Sequence, residues 1–137
     1  MAAELHFSHI AWRSELGLHR EGNEDSGFIS PRVLAVADGM GGYVGGEIAS
    51  STVIKKLAEI TPILNNPELD NDSREDILRS SVIDMDSAIA EIGSRRPELV
   101  GMGTTLTSMA LFNNYALLLH IGDSRAYRIR GKKIEQL

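Results

Sequence analysis

The chain has no cysteine. That absence excludes a disulfide framework, a thiol nucleophile and a thiolate metal site. Any metal must therefore be held by oxygen or imidazole. No stretch approaches the ~18 consecutive apolar residues of a membrane span, and the opening MAAELHFSHIAWRSELG is too polar for a secretory leader. A basic excess is missing too: the formal net charge is −5, which argues against nucleic acid as the default partner. There is no internal repeat and no low-complexity segment. What is present is ordinary for a folded protein, with 42% hydrophobic and 24% charged residues. The 137 residues suit one domain or part of one, with length enough for a sizeable core. The expectation is a soluble, cytoplasmic chain.

The most informative stretch is Val33–Gly46, VLAVADGMGGYVGG. An unbroken apolar run from Val33 to Ala37 reads as a buried strand that delivers Asp38 at its end. Glycines follow where the backbone must bend sharply and let something approach closely. A carboxylate beside bare backbone suits a hard cation, which takes carboxylate and carbonyl oxygens. Asp38 in isolation reads equally well as a turn or capping residue.

The flanking pattern is mixed α and β. Leu5–Ser14 is expected to form a first strand, and Asp25–Ser30 a second that turns at Pro31-Arg32 into Val33–Ala37. Such a hairpin would bring Glu24 and Asp25 towards Asp38. Ala49, Val53, Leu57 and Ile60 share one face of a helix expected over Glu47–Ile60 and stopped by Pro62. After a solvated loop, a second helix is expected from Ser73, as a capping-box residue, to about Ser94. Leu78, Val82, Met85, Ile89 and Ile92 form its apolar stripe, and Gly93 and Pro97 end it. The remainder reads as strands: Thr104–Phe112, a two-residue turn at Asn113-Asn114, a central strand Tyr115–Ile121, then Ala126–Ile129 and Ile134–Leu137. The last of these stops with no terminating signal, as if the chain were cut within a strand.

Three acidic stretches sit at predicted strand edges: Glu24-Asp25, Asp38-Gly39 and Asp123. Carboxylates gathered at one end of a sheet can hold a pair of metal ions about 3.5–4 Å apart, an arrangement that activates water for phosphoryl displacement. Asp38 is the best candidate bridge, and Gly39 could add its carbonyl. Arg20 offers a planar fork for two phosphate oxygens. Taken singly, Arg20 also reads as a surface residue, Glu24-Asp25 as a solvated turn and Asp123 as a turn acid. The histidines show no ligand spacing, and Ser124 has no evident base partner to make it a nucleophile.

Four motifs occur in order: Arg20-x-x-Asn23-Glu24-Asp25, Val36-Ala37-Asp38-Gly39-Met40-Gly41-Gly42, Gly101-Met102-Gly103-Thr104-Thr105 and His120-Ile121-Gly122-Asp123-Ser124-Arg125-Ala126-Tyr127. The series resembles the metal-dependent, type 2C (PPM) family of protein serine/threonine phosphatases, in its bacterial form. The resemblance implies an α+β fold, a β-sandwich of two antiparallel sheets flanked by helices, incomplete in this chain. Residues 1–137 would be the N-terminal portion of a single phosphatase domain. It implies two Mn²⁺ or Mg²⁺ ions, with a third possible. Asp38 would bridge the pair, Gly39 would ligate through its carbonyl, and Glu24 would hold metal-bound water. Asp25 would support that shell, Asp123 would serve the third ion, and Arg20 would grip the substrate phosphate. Gly103-Thr104-Thr105 would be structural. Met40 stands where eukaryotic relatives often carry a histidine proposed as general acid. Two further aspartate ligands would come from beyond Leu137, so the chain alone is expected to be inactive. The implied partners are phosphorylated proteins, with serine/threonine kinases and their substrates foremost. The competing reading is a truncated, non-catalytic module that binds or regulates phosphoproteins.

Overall fold

The computed structural model describes residues 3–42 and 44–137; Tyr43 of the glycine-rich turn lies outside the described residues. The elements run β1 (Asp25–Ile29), β2 (Val33–Met40), α1 (Gly45–Leu64), α2 (Asn71–Arg95), a 3₁₀ turn (Pro97–Leu99), β3 (Gly103–Thr104), β4 (Leu106–Phe112), β5 (Tyr115–Ile121), β6 (Tyr127–Arg130) and β7 (Lys133–Gln136). One antiparallel sheet has the order β1-β2-β4-β5, with β3 pairing the end of β2, and β6 and β7 form a separate two-stranded sheet.

β2 shows why the sheet has two unlike faces. Val33, Ala35, Ala37 and Gly39 are buried, while Val36, Asp38 and Met40 alternate with them and are exposed, as period-2 side-chain alternation requires. The buried face packs on α1 through Val53, Leu57 and Leu64 and on α2 through Leu78 and Met85, in one core with Leu106, Ala110, Phe112 and Leu117. The opposite face carries Asp38. Residues 3–24 cross that side, with Ile10, Ala11 and Trp12 flanking a groove shared with Val36, Met109 and Leu118.

Several expectations need correction. Leu5–Ser14 is not a strand. Its apolar residues are interrupted by polar ones, and in place of a ladder its Leu5 amide donates to the Asn113 carbonyl at 2.6 Å. α1 runs through Pro62 to Leu64. A proline in the last turn forfeits one late backbone bond, and complete burial of Leu64 carries the helix onward. α2 starts two residues before Ser73 because the cap is Asp70, whose carboxylate accepts from the Ser73 amide at 2.7 Å. The Ser73 hydroxyl first and this amide bond second hold the Asp70 carboxyl below its ordinary range. β5 is an edge strand, not a central one, because β6 and β7 pair with each other. The turn at Asn113 is as expected, with φ of 54°.

Arg74, near the start of α2, joins the two helices. It is only 3% exposed. Its Nε donates to the Leu64 carbonyl and its Nη2 to the Asn66 carbonyl, both at 2.9 Å. The guanidinium lies 4.5 Å from the Phe112 ring centroid, a desolvated cation–π contact. It therefore caps the C-terminal end of α1, where the helix dipole favours a cation. Arg74→Ala would leave the Leu64 carbonyl without its donor, take from the Asn66 carbonyl one of its two donors (the Leu69 amide, at 3.2 Å, stays) and open a cavity beside Phe112. The expected loss is about 3 kcal/mol, read as a lower urea midpoint with an unchanged slope.

Candidate functional site

The site is assembled at the end of the β1–β2 hairpin. The register sets Asp25 directly opposite Asp38, so the two carboxylates share the face away from the helices. Like charges in that relation repel. Desolvation first and the charge of Asp38 second raise the Asp25 carboxyl above its ordinary value of 3.8, although the residue as a whole is open to solvent; Arg20 offsets part of the rise. Arg20, Glu24, Asp25 and Asp38 line one pocket. The Arg20 guanidinium is 4.0 Å from the Glu24 carboxylate.

Local bonding explains the placement. Asn23 shapes the entry to β1: its Oδ1 accepts from the Asp25 amide at 3.0 Å and its Nδ2 donates to Ser14 Oγ at 2.7 Å. The Glu24 carbonyl accepts twice, from the Gly39 amide at 3.1 Å and from the Ser50 hydroxyl at 2.7 Å. Ser50 is fully buried in α1, and Ser26 Oγ lies 2.9 Å from its oxygen. The Glu24 carboxylate rests against Gly46, where an added Cβ would come within 2.6 Å of Cδ. Glu24 is thus fixed by its backbone to β2 and by its side chain to the first turn of α1.

Asp123 lies apart from this pocket. It follows β5, between Gly122, which has φ of 96°, and Ser124. Its connection to Asp38 is indirect, through Ser124 Oγ and Thr105 Oγ1 at 2.6 Å and on to the Asp38 amide at 3.0 Å. His120 is tied to Thr107, Nδ1 to Oγ1 at 2.8 Å, in keeping with a structural histidine.

Hard cations fit the chemistry of this pocket. Its donors are oxygens, and an anionic pair raises a proton affinity that a cation would relieve. The number of donors is smaller than such an ion takes. Among the described residues no group of three or more histidine, aspartate or glutamate side chains could hold a metal ion.

Sequence reasoning passed over Ser50, Gly46 and the bonds made by the Thr105 hydroxyl. A signal existed for the first two: Gly46 and Ser50 fall on the same stripe of α1 as Val53 and Leu57. A buried hydroxyl among apolar neighbours needs a partner.

The family model described as Protein phosphatase 2C matches residues 24–137. The chain is 42% identical over 130 residues to the serine/threonine protein phosphatase PstP of Mycobacterium tuberculosis, covering 93% of this chain and 24% of that protein. It is 30% identical over 138 residues to the serine/threonine phosphatase stp of Listeria welshimeri, covering 94% of this chain and 53% of that protein. Among solved structures it resembles the catalytic domain of PstP in complex with two manganese ions, at a TM-score of 0.80 and 43% identity, over 91% of this chain and 52% of that one. The chain thus spans about a quarter to about half the length of these relatives. The likeness bears out the α+β fold of antiparallel sheets and flanking helices, present here in part. Among the described residues no helix is long and apolar enough to cross a membrane.

Proposed function

Because this chain belongs to the protein phosphatase 2C family, we propose that it supplies the Asp38 side of the catalytic centre of a bacterial serine/threonine protein phosphatase. The observation that carries the reading is the cross-strand pair Asp25 and Asp38, in one pocket with Glu24 and a guanidinium. Two Mn²⁺ or Mg²⁺ ions, with a third possible, are the proposed cofactors. When bound, they would lower the pKa of water and neutralise charge on the phosphate. Asp38 would hold the pair and Gly39 would add its carbonyl. Glu24 would orient the attacking water, with Asp25 supporting it. Asp123 would serve a separate, weaker cation.

The remaining work falls to Arg20. Its side chain is 72% exposed, free to swing from Glu24 onto two phosphate oxygens of a phosphoserine or phosphothreonine. Attack would be direct and in line with the departing side-chain oxygen, with no phosphoenzyme. Phosphoproteins, serine/threonine kinases among them, are the proposed substrates, in the cytoplasm. The chain alone is expected to be inactive, since it presents too few carboxylates for the metal pair.

The test is hydrolysis of a phosphothreonine peptide by the whole protein, with Mn²⁺ and then with chelator. Turnover that survives chelation would end the reading. In the same assay Arg20→Ala should raise KM about tenfold or more while changing kcat less, as expected for loss of a bidentate charged contact to the ground-state phosphate. An unchanged KM would remove Arg20 from the substrate site.

A further inference from the structure

The proposed activity depends on where Asp38 is held, and the residue that holds it is Thr105. This residue occupies the break between β3 and β4. The Asp38 amide donates to Thr105 Oγ1 at 3.0 Å, and the Thr105 amide donates to the Asp38 carbonyl at 2.9 Å. One residue thus satisfies both backbone groups of Asp38. With its oxygen accepting from Asp38, the Thr105 hydroxyl can give its single proton to Ser124 Oγ, 2.6 Å away.

The other branch of Thr105 faces the same turn. Gly122 packs so closely that an added Cβ would lie 2.7 Å from Thr105 Cγ2 and 3.1 Å from its Cβ. Gly122 and Ser124, the neighbours of Asp123, are therefore both seated on Thr105. Asp38 and Asp123 do not share the pocket of Arg20 and Glu24, and this one side chain links the Asp38 amide to the two residues that flank Asp123.

We propose that Thr105 is a positioning residue that ties the Asp123 turn to Asp38, so that cation binding at Asp38 depends on a hydroxyl that never touches the cation. This rests on the reading of Asp38 as a cation ligand. Groups that orient ligands from outside typically change metal affinity by about 10–100-fold when removed.

The experiment is a calorimetric Mn²⁺ titration of the whole protein, with amide hydrogen exchange at Asp38 in the metal-free state. Thr105→Val keeps the branched shape and removes the hydroxyl. It should weaken Mn²⁺ binding by about tenfold and speed exchange at the Asp38 amide. Thr105→Ser restores the hydroxyl and should bring affinity back to within about threefold of the parent. Ser124→Ala leaves the Thr105–Asp38 bonds in place and cuts the tie to the turn, and should cost about threefold, the worth of one hydrogen bond. Parental Mn²⁺ affinity and Asp38 exchange in Thr105→Val would overturn the proposal. If Thr105→Val does not fold, Ser124→Ala decides: reduced affinity supports the tie and parental affinity overturns it. Asp38→Asn, titrated alongside, separates the two levels, because unchanged Mn²⁺ affinity there would remove the parent reading instead.

Discussion

Replacing Asp38 with asparagine is expected to reduce Mn²⁺-dependent phosphopeptide hydrolysis by the whole protein at least about 10³-fold. The substitution keeps the size and the β2 backbone but removes the charge proposed to hold two cations. Interactions with developing charge in an active site are commonly worth 10²–10³ each, and losing a bridging ligand also weakens the cations' own effects. Near-normal turnover would refute the assignment. A second readout needs no catalysis. The raised Asp25 carboxyl takes part of its shift from Asp38, so in Asp38→Asn it should fall back towards its ordinary value of 3.8, as followed by NMR titration. The sign for stability follows. A carboxyl that binds its proton more tightly in the folded state stabilises the fold below its unfolded pKa. That stability is lost as pH rises through the folded pKa. The metal-free protein should show that loss as pH rises above 3.8, and Asp38→Asn should reduce it, leaving the part that comes from desolvation.

Gly39→Ala is expected to be the most damaging change of a single methyl. The added Cβ would sit 1.9 Å from the Gly46 carbonyl oxygen, 2.4 Å from the Gly46 carbonyl carbon and 2.8 Å from the Glu24 carbonyl oxygen. All three are backbone atoms, so no side chain can turn aside. β2 and the first turn of α1 would have to separate, at a cost of about 3 kcal/mol and roughly 10 °C in Tm. Gly42→Ala is the control. A Cβ there meets nothing within 4 Å, and stability should stay within about 0.5 kcal/mol. Equal melting temperatures for the two variants would show that the contact yields more readily than its geometry implies.

Much of this architecture was legible before any coordinates. The apolar run ending in Asp38 and the Pro31-Arg32 turn fixed the hairpin closely enough to predict that Asp25 would approach Asp38. The stripes of both helices were clear because 3.6-residue periodicity persists over several turns. Most of the errors depend on a partner distant in sequence, and one is a local choice between two capping residues. Ser73 looks like a cap because Asp70, three residues earlier, lies in a stretch whose Asn, Asp and Pro residues read as a solvated loop. Pro62 looked like a stop because the burial of Leu64 and the reach of Arg74 are tertiary facts. β5 looked central because its composition is apolar, and neither of its neighbours could be known. In the site, carboxylates announced themselves by type. Ser50 and the Thr105 hydroxyl did not, because a serine or threonine gains meaning from what it bonds.

The contact between Gly39 and Gly46 also bears on how this region can tolerate change in length. The chain leaves β2 one residue after Gly39 and has entered α1 one residue before Gly46, and the two glycines are in close contact. The two ends of the intervening segment are therefore planted at one point. Extra residues would enlarge the arc without displacing either end. Doubling such a loop costs only about 0.6 kcal/mol in closure entropy, less than a quarter of the cost assigned above to a methyl at one end. Insertion between the glycines should therefore be milder than substitution at them, which makes this segment a place where a substrate-facing loop could be lengthened while Asp38 and Glu24 stay where they are.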